Sequence, residues 1–72
     1  MTLKERLKRD LKKDRYNLGH LAKEAGITQS YLTHILKGHT PSVRIATALA
    51  RAANKLTGLD TYNTITFLHL ND

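Results

Sequence analysis

An all-α fold of four to five short helices is what this 72-residue sequence predicts, and three observations carry the expectation. Apolar residues recur at spacings of three and four along most of the chain. Side chains that cap helix N-termini, Thr2, Asn17, Thr28 and Ser42, stand just before those runs. Gly26, Gly38 and Gly58 stand just after three of them, where a helix end favours a left-handed residue. A chain of this size buries only about 60% of its unfolded surface, so it supports one core and not two.

The elements follow in order. Leu3, Leu7 and Leu11 recur among charged residues, and Thr2 with Glu5 has capping-box spacing, so residues 2–14 predict a first helix with a narrow apolar stripe. Asn17 caps a second helix, Leu18 to Ala25, with Leu18, Leu21, Ala22 and Ala25 on one face. After Gly26, Thr28 caps a third that runs to Leu36 or Lys37, with Tyr31, Leu32, Ile35 and Leu36 facing inward. His39 to Pro41 form a polar connection. Ser42 then caps a fourth helix from Val43 to about Leu56, closed by Gly58, with a stripe of Ile45, Ala46, Leu49, Ala52, Ala53 and Leu56. The tail from Leu59 is ambiguous: Thr64 to Phe67 favour a strand by propensity, whereas Leu59, Tyr62, Ile65 and Leu68 or His69 fit one face of a short helix capped by Asp60. A short helix is the expectation, with one unit over residues 1–59 and a tail over 60–72 that completes the core or a dimer interface.

Charge narrows the partners. Twelve Lys and Arg against six Asp and Glu leave +6, with a pI near 10.0, the balance of a protein that meets a polyanion. The cations cluster: Lys4, Arg6, Lys8, Arg9, Lys12, Lys13 and Arg15 crowd the first helix region, while residues 60–72 carry only Asp60 and Asp72. With no cysteine there is neither a disulfide framework nor a thiolate metal site. Charges every one or two residues at the N-terminus exclude a signal peptide, and the weakly polar stretch Ile45 to Ala53 is far short of the roughly 20 residues of a membrane span. His20, His34, His39 and His69 include no pair at i, i+3 or i, i+4, so no helix face presents two imidazoles to a metal. Ser30 with His34 has no third orienting group, and there is no phosphate-binding glycine loop, so no catalytic residue and no cofactor is expected. The first helix shows only leucine on its apolar face, unlike an interfacial membrane helix. No small-molecule ligand is evident.

The third helix departs from an ordinary solvated face, which would carry Lys and Glu. Here the outward positions are Thr28, Gln29, Ser30, Thr33 and His34. These side chains are short, donate and accept, and are not tied up in ion pairs with neighbours. Gln pairs in bidentate fashion with adenine, Ser and Thr serve either base, and a Thr methyl touches the thymine methyl.

The pair of helices around Gly26 resembles the helix-turn-helix motif closely. Counting Leu18 as the first of its twenty positions, Ala22 falls at the small fifth, Gly26 at the ninth and Ile27 at the tenth. Leu21, Ala25, Leu32 and Ile35 fall at the apolar fourth, eighth, fifteenth and eighteenth. With the charged helix before and the Ser42-capped helix after, residues 1–59, about four-fifths of the chain, resemble a lambda-repressor-like domain of phage Cro proteins, repressors and XRE-type bacterial regulators. The resemblance implies a sequence-specific transcriptional regulator in the cytoplasm of a bacterial host, bound to double-stranded DNA. Helix 28–37 would lie in the major groove, where Gln29 and Ser30 would read bases, with Thr33, His34 and Thr28 beside them. Asn17, Tyr31, Lys37, His39 and Thr40 would hold phosphates. Many relatives carry Gln at the position of Leu18, which makes Asn17 a substitute for that contact.

Several alternatives stay open at this stage. Tyr31 either covers the core edge or reaches a phosphate. Lys4, Lys8 and Lys12, or else Arg9 and Lys13, attract DNA, or they are a solvated face. A single domain reads too few base pairs to find one site, so a homodimer on a pseudo-palindrome with half-sites about 34 Å apart is expected. Ile65, Phe67, Leu68 and Leu70 are the candidate dimer surface, unless they complete the monomer core. An antitoxin-like or adaptor module, whose tail binds a protein partner, is the competing function, and binding without sequence preference is a third.

Overall fold

The computed structural model describes residues 2–68, and five helices follow one another within them: α1 (Leu3–Lys12), α2 (Leu18–Ala25), α3 (Gln29–Leu36), α4 (Val43–Thr57) and α5 (Thr64–Leu68). The four expected caps all bond as caps. Thr2 Oγ1 accepts the Glu5 N–H at 3.2 Å, Asn17 Oδ1 accepts from His20 at 3.0 Å, Thr28 Oγ1 from Tyr31 at 3.1 Å and Ser42 Oγ from Ile45 at 3.2 Å. The reciprocal half of a capping box forms not at Thr2 and Glu5 but at α2, where the Asn17 N–H donates to His20 Nδ1 at 3.1 Å.

Helix ends need left-handed residues, and Gly26 (φ 80°) and Gly58 (φ 72°) supply them after α2 and α4. The end of α1 differs from the expectation. The helix stops at Lys12 and not at Asp14, and the residue that turns the chain is Arg15, at φ 62°. The Tyr16 N–H then reaches back to the Leu11 carbonyl at 2.9 Å. A side chain in this conformation costs roughly 1 kcal/mol, and no glycine marks the turn in the sequence.

One core holds the helices together. Leu7 and Leu11 of α1, Leu21 of α2, Leu32 and Ile35 of α3, and Leu49 of α4 are all fully buried. The long α4 lies at the centre, packed against α1, α2 and α5, and its Ala46, Ala50, Ala52 and Ala53 let neighbours approach closely. Ala22, 1% exposed, plays the same part where α2 meets α3.

The tail is helical, but its start and its buried face are not those expected. Asn63, not Asp60, caps α5: Asn63 Oδ1 accepts the Thr66 N–H at 3.0 Å while Thr66 Oγ1 accepts the Asn63 N–H at 3.1 Å. This reciprocal pair outweighs the strand propensity of Thr64 to Phe67, because an isolated strand would leave its backbone groups without a ladder. Of the predicted face, Tyr62 is buried and Leu68 packs against the core, whereas Leu59 and Ile65 are exposed and Phe67 is fully buried instead. Phe67 therefore belongs to the core and is withdrawn from the candidate dimer surface. Leu70 lies outside the described residues.

Tyr62 is buried too, ahead of α5, and it fastens the tail to α1. Its hydroxyl donates to Asp10 Oδ2 at 2.6 Å, and Asp10 is itself only 5% exposed. The Arg9 Nε reaches Asp10 Oδ1 at 3.3 Å, and the Arg6 guanidinium lies 4.6 Å from the centroid of the Tyr62 ring. Asn54 of α4 holds the Tyr62 backbone from both sides, Oδ1 accepting its N–H at 3.0 Å and Nδ2 donating to its carbonyl at 2.8 Å. The Tyr62 bond holds the Asp10 carboxyl below the ordinary range against the opposing effect of burial. Burial first, and the carboxylate second, push the Tyr62 hydroxyl up.

Candidate nucleic-acid interface

Two helices of eight residues, α2 and α3, meet through the left-handed Gly26. The Ile27 N–H donates to the Ala22 carbonyl at 2.9 Å, which closes the end of α2 and starts the chain toward Thr28. Leu32 and Ile35 anchor α3 in the core. At about 100° per residue, the opposite side of the helix is a continuous arc of about 140° that runs through Gln29, Thr33, Ser30 and His34. Gln29, Ser30 and His34 are exposed and Thr33 is half-buried. None of the four is a Lys, Arg, Asp or Glu, and among the described residues none is engaged in an ion pair. Thr28 is exposed, with its hydroxyl oxygen already committed to the cap.

The expected site residues fall into two groups. Gln29 and Thr33 line a groove of about 500 Å³ together with Asn17, Tyr16 and Leu18 at the start of α2, and Lys4, Lys8 and Lys12 along α1. At the other end of α3, His34 stacks on His39 with ring centroids 4.6 Å apart and planes 26° from parallel, and Tyr31 lies 6.0 Å from His39. Tyr31 is half-buried and packs against the core edge, so its ring serves the core whatever its hydroxyl does. Lys37, at the C-cap of α3, and Thr40 in the loop beyond are exposed. Stacked imidazoles point their edges away from a shared centre, and among the described residues no group of three His, Asp or Glu could hold a metal ion.

One participant is not marked as such in the sequence. Gly19 lies in the first turn of α2, where a Cβ would stand 3.1 Å from both Gln29 Oε1 and Asn17 Oδ1. The Gln29 carboxamide thus rests over the start of α2, beside the Asn17 cap. The available signal was a glycine inside a helix, where alanine would be favoured by up to about 1 kcal/mol. Of the two sets of α1 cations weighed in the sequence, Lys4, Lys8 and Lys12 line the groove, while Arg6 and Arg9 turn to Tyr62 and Asp10.

A capped helix whose polar arc faces outward, held at a tight glycine turn against a second helix, defines a helix-turn-helix DNA-binding unit. The helix-turn-helix family model matches residues 4–57, well over half of the chain. The protein belongs to that family, the XRE and lambda-repressor-like helix-turn-helix proteins. No curated protein and no solved structure matches the chain. Members of this family are DNA-binding regulators, typically without enzymatic activity, and the partner is double-stranded DNA. Among the described residues no helix is long and apolar enough to cross a membrane.

Proposed function

We propose that the protein is a sequence-specific regulator of the Cro and repressor kind, from a phage or bacterium, that occupies an operator in the bacterial cytoplasm and excludes polymerase or a competing regulator. The observation that carries this reading is the uncharged polar arc of α3 opposite its Leu32 and Ile35 anchors. In the major groove, Gln29 and Ser30 would read base edges from the first turn of the helix, with Thr33 and His34 one turn on and Thr28 at its start. Asn17 at the start of α2, and Lys37, His39 and Thr40 beyond α3, would hold phosphates, with Tyr31 at the edge of that group.

Two copies would bind half-sites about 34 Å apart. On the described tail the apolar side chain left to a partner is Ile65, 63% exposed, with the half-buried Leu68 beside it. Tyr62 and Phe67 are folded into the monomer, which favours this reading over a module whose tail waits for a protein partner.

The test is selection of bound duplexes from a random pool at near-physiological salt. A pseudo-palindromic motif is expected. Gln29→Ala should then lose about 1 to 3 kcal/mol on that site and relax the preference at one base pair. An unenriched pool, or an equal loss on random DNA, overturns the reading.

A further inference from the structure

We propose that the groove between α1 and α3 follows the phosphodiester backbone of duplex DNA, with Lys4, Lys8 and Lys12 as a row of phosphate contacts outside the recognition helix. The inference rests on the DNA-binding reading above and extends the footprint of the protein along α1. The three lysines stand four residues apart on a ten-residue helix, so they form a nearly straight row with successive positions about 6 Å apart along its axis. They line the same groove as Gln29 and Thr33, so a strand whose bases met α3 would lie against α1. No carboxylate lines the groove.

The other cations of α1 make the arrangement specific. Arg6 donates to Thr61 Oγ1 at 3.2 Å and covers Tyr62, and Arg9 pairs with Asp10, so both guanidiniums are used within the fold. Among the described residues no acidic group pairs with Lys4, Lys8 or Lys12. At about 100° per residue, Lys13 lies on the far side of the helix from Lys8. The helix thus divides its charge, arginines toward the tail and lysines toward the groove.

The experiment compares the wild type with Lys4→Gln/Lys8→Gln/Lys12→Gln and with a control of equal charge change outside the groove, Lys13→Gln/Lys23→Gln/Arg51→Gln. Affinity is measured against salt on the duplex enriched by selection and on a scrambled duplex of the same length, after thermal melts confirm that each variant folds. Each phosphate contact contributes about 0.9 to the slope of log affinity against log salt. The groove variant should lose close to 3 in slope on both duplexes, keep the ratio between them, and exceed the control several-fold, with Lys8→Gln alone losing about 1. Equal slope changes in groove and control variants would refute the groove, and so would a loss confined to the enriched duplex. If the wild type binds neither duplex, the proposed function falls and this inference with it; if the wild type binds and the groove variant keeps its slope, only the inference falls.

Discussion

Tyr62→Phe removes a single oxygen atom, and the structure says what that atom holds. The hydroxyl donates at 2.6 Å to a carboxylate that is 95% shielded from water, and it joins positions 52 residues apart. A buried hydrogen bond to a charged group is worth about 1.5 to 3 kcal/mol, and its loss leaves Asp10 Oδ2 without a donor. Little offsets this, because the phenyl ring would keep its packing and its place under Arg6. A domain of this size is stable by only about 4 to 11 kcal/mol, so the substitution removes a large share. Thermal melts followed by circular dichroism should show a drop of about 6 to 24 °C at pH 7.

The sign of the pH dependence is also determined. The folded-state pKa of Asp10 is depressed, so its contribution is present above the unfolded value of about 3.9 and is lost as pH falls through the lower folded value. The gap between wild type and Tyr62→Phe should therefore narrow in melts taken at successively lower pH below about 4. A variant within about 0.5 kcal/mol of wild type at pH 7, or a gap that is the same at pH 7 and at pH 2, would refute the reasoning.

Three further substitutions separate fold from recognition. Gly26→Val should destabilise by about 1 to 3 kcal/mol; because a Cβ there meets nothing within 4 Å, the cost is the backbone conformation alone, and Gly26→Asn should recover most of it in the same melt. Phe67→Ala should cost about 3 to 5 kcal/mol, and because the ring is buried within one chain, the drop in melting temperature should not depend on protein concentration. Gly19→Ala gains helix propensity of up to about 1 kcal/mol but crowds the Asn17 cap, so the two effects should nearly cancel in the melt, while the displaced Gln29 lowers the affinity ratio between enriched and scrambled duplex several-fold. An unaltered ratio would show that the resting place of the Gln29 carboxamide has no part in recognition.

The parts of this fold that the sequence displays are those whose physics is local. Thr2, Asn17, Thr28 and Ser42 each bond to a backbone N–H three residues on, so the cap and the helix it starts are written side by side. Gly26 and Gly58 mark their turns because few other residues adopt that conformation cheaply. The outward arc of α3 is legible for the same reason, since the spacing of Leu32 and Ile35 determines which positions remain outside. Where the decision is made at a distance, the pattern misleads. Arg15 takes a left-handed turn with no glycine to announce it. The buried face of α5 departs from its pattern because Phe67 is drawn inward by α4, a partner that no window along the tail contains. Nothing along the chain marks the contact at Gly19, since its neighbour Gln29 meets it only once α3 is folded against α2.

The first helix shows how these two kinds of information combine in one element. Leucines at i, i+4 and i+8 would suffice to hold it on the core, and Leu7 and Leu11 are fully buried there. Its position against the tail is decided by Arg6, which meets Thr61 and Tyr62, and by Asp10, which accepts from Tyr62 and from Arg9. The side remaining to the groove carries Lys4, Lys8 and Lys12, on the wall opposite Gln29 and Thr33. Through Thr61 and Tyr62 the tail therefore has a bearing on the basic surface from the other side of α1. The Tyr62 hydroxyl keeps Asp10 ionised and turned toward the tail, where it also holds Arg9, and Arg6 covers the Tyr62 ring, so that the charge lining the groove on the opposite side of the helix is lysine alone.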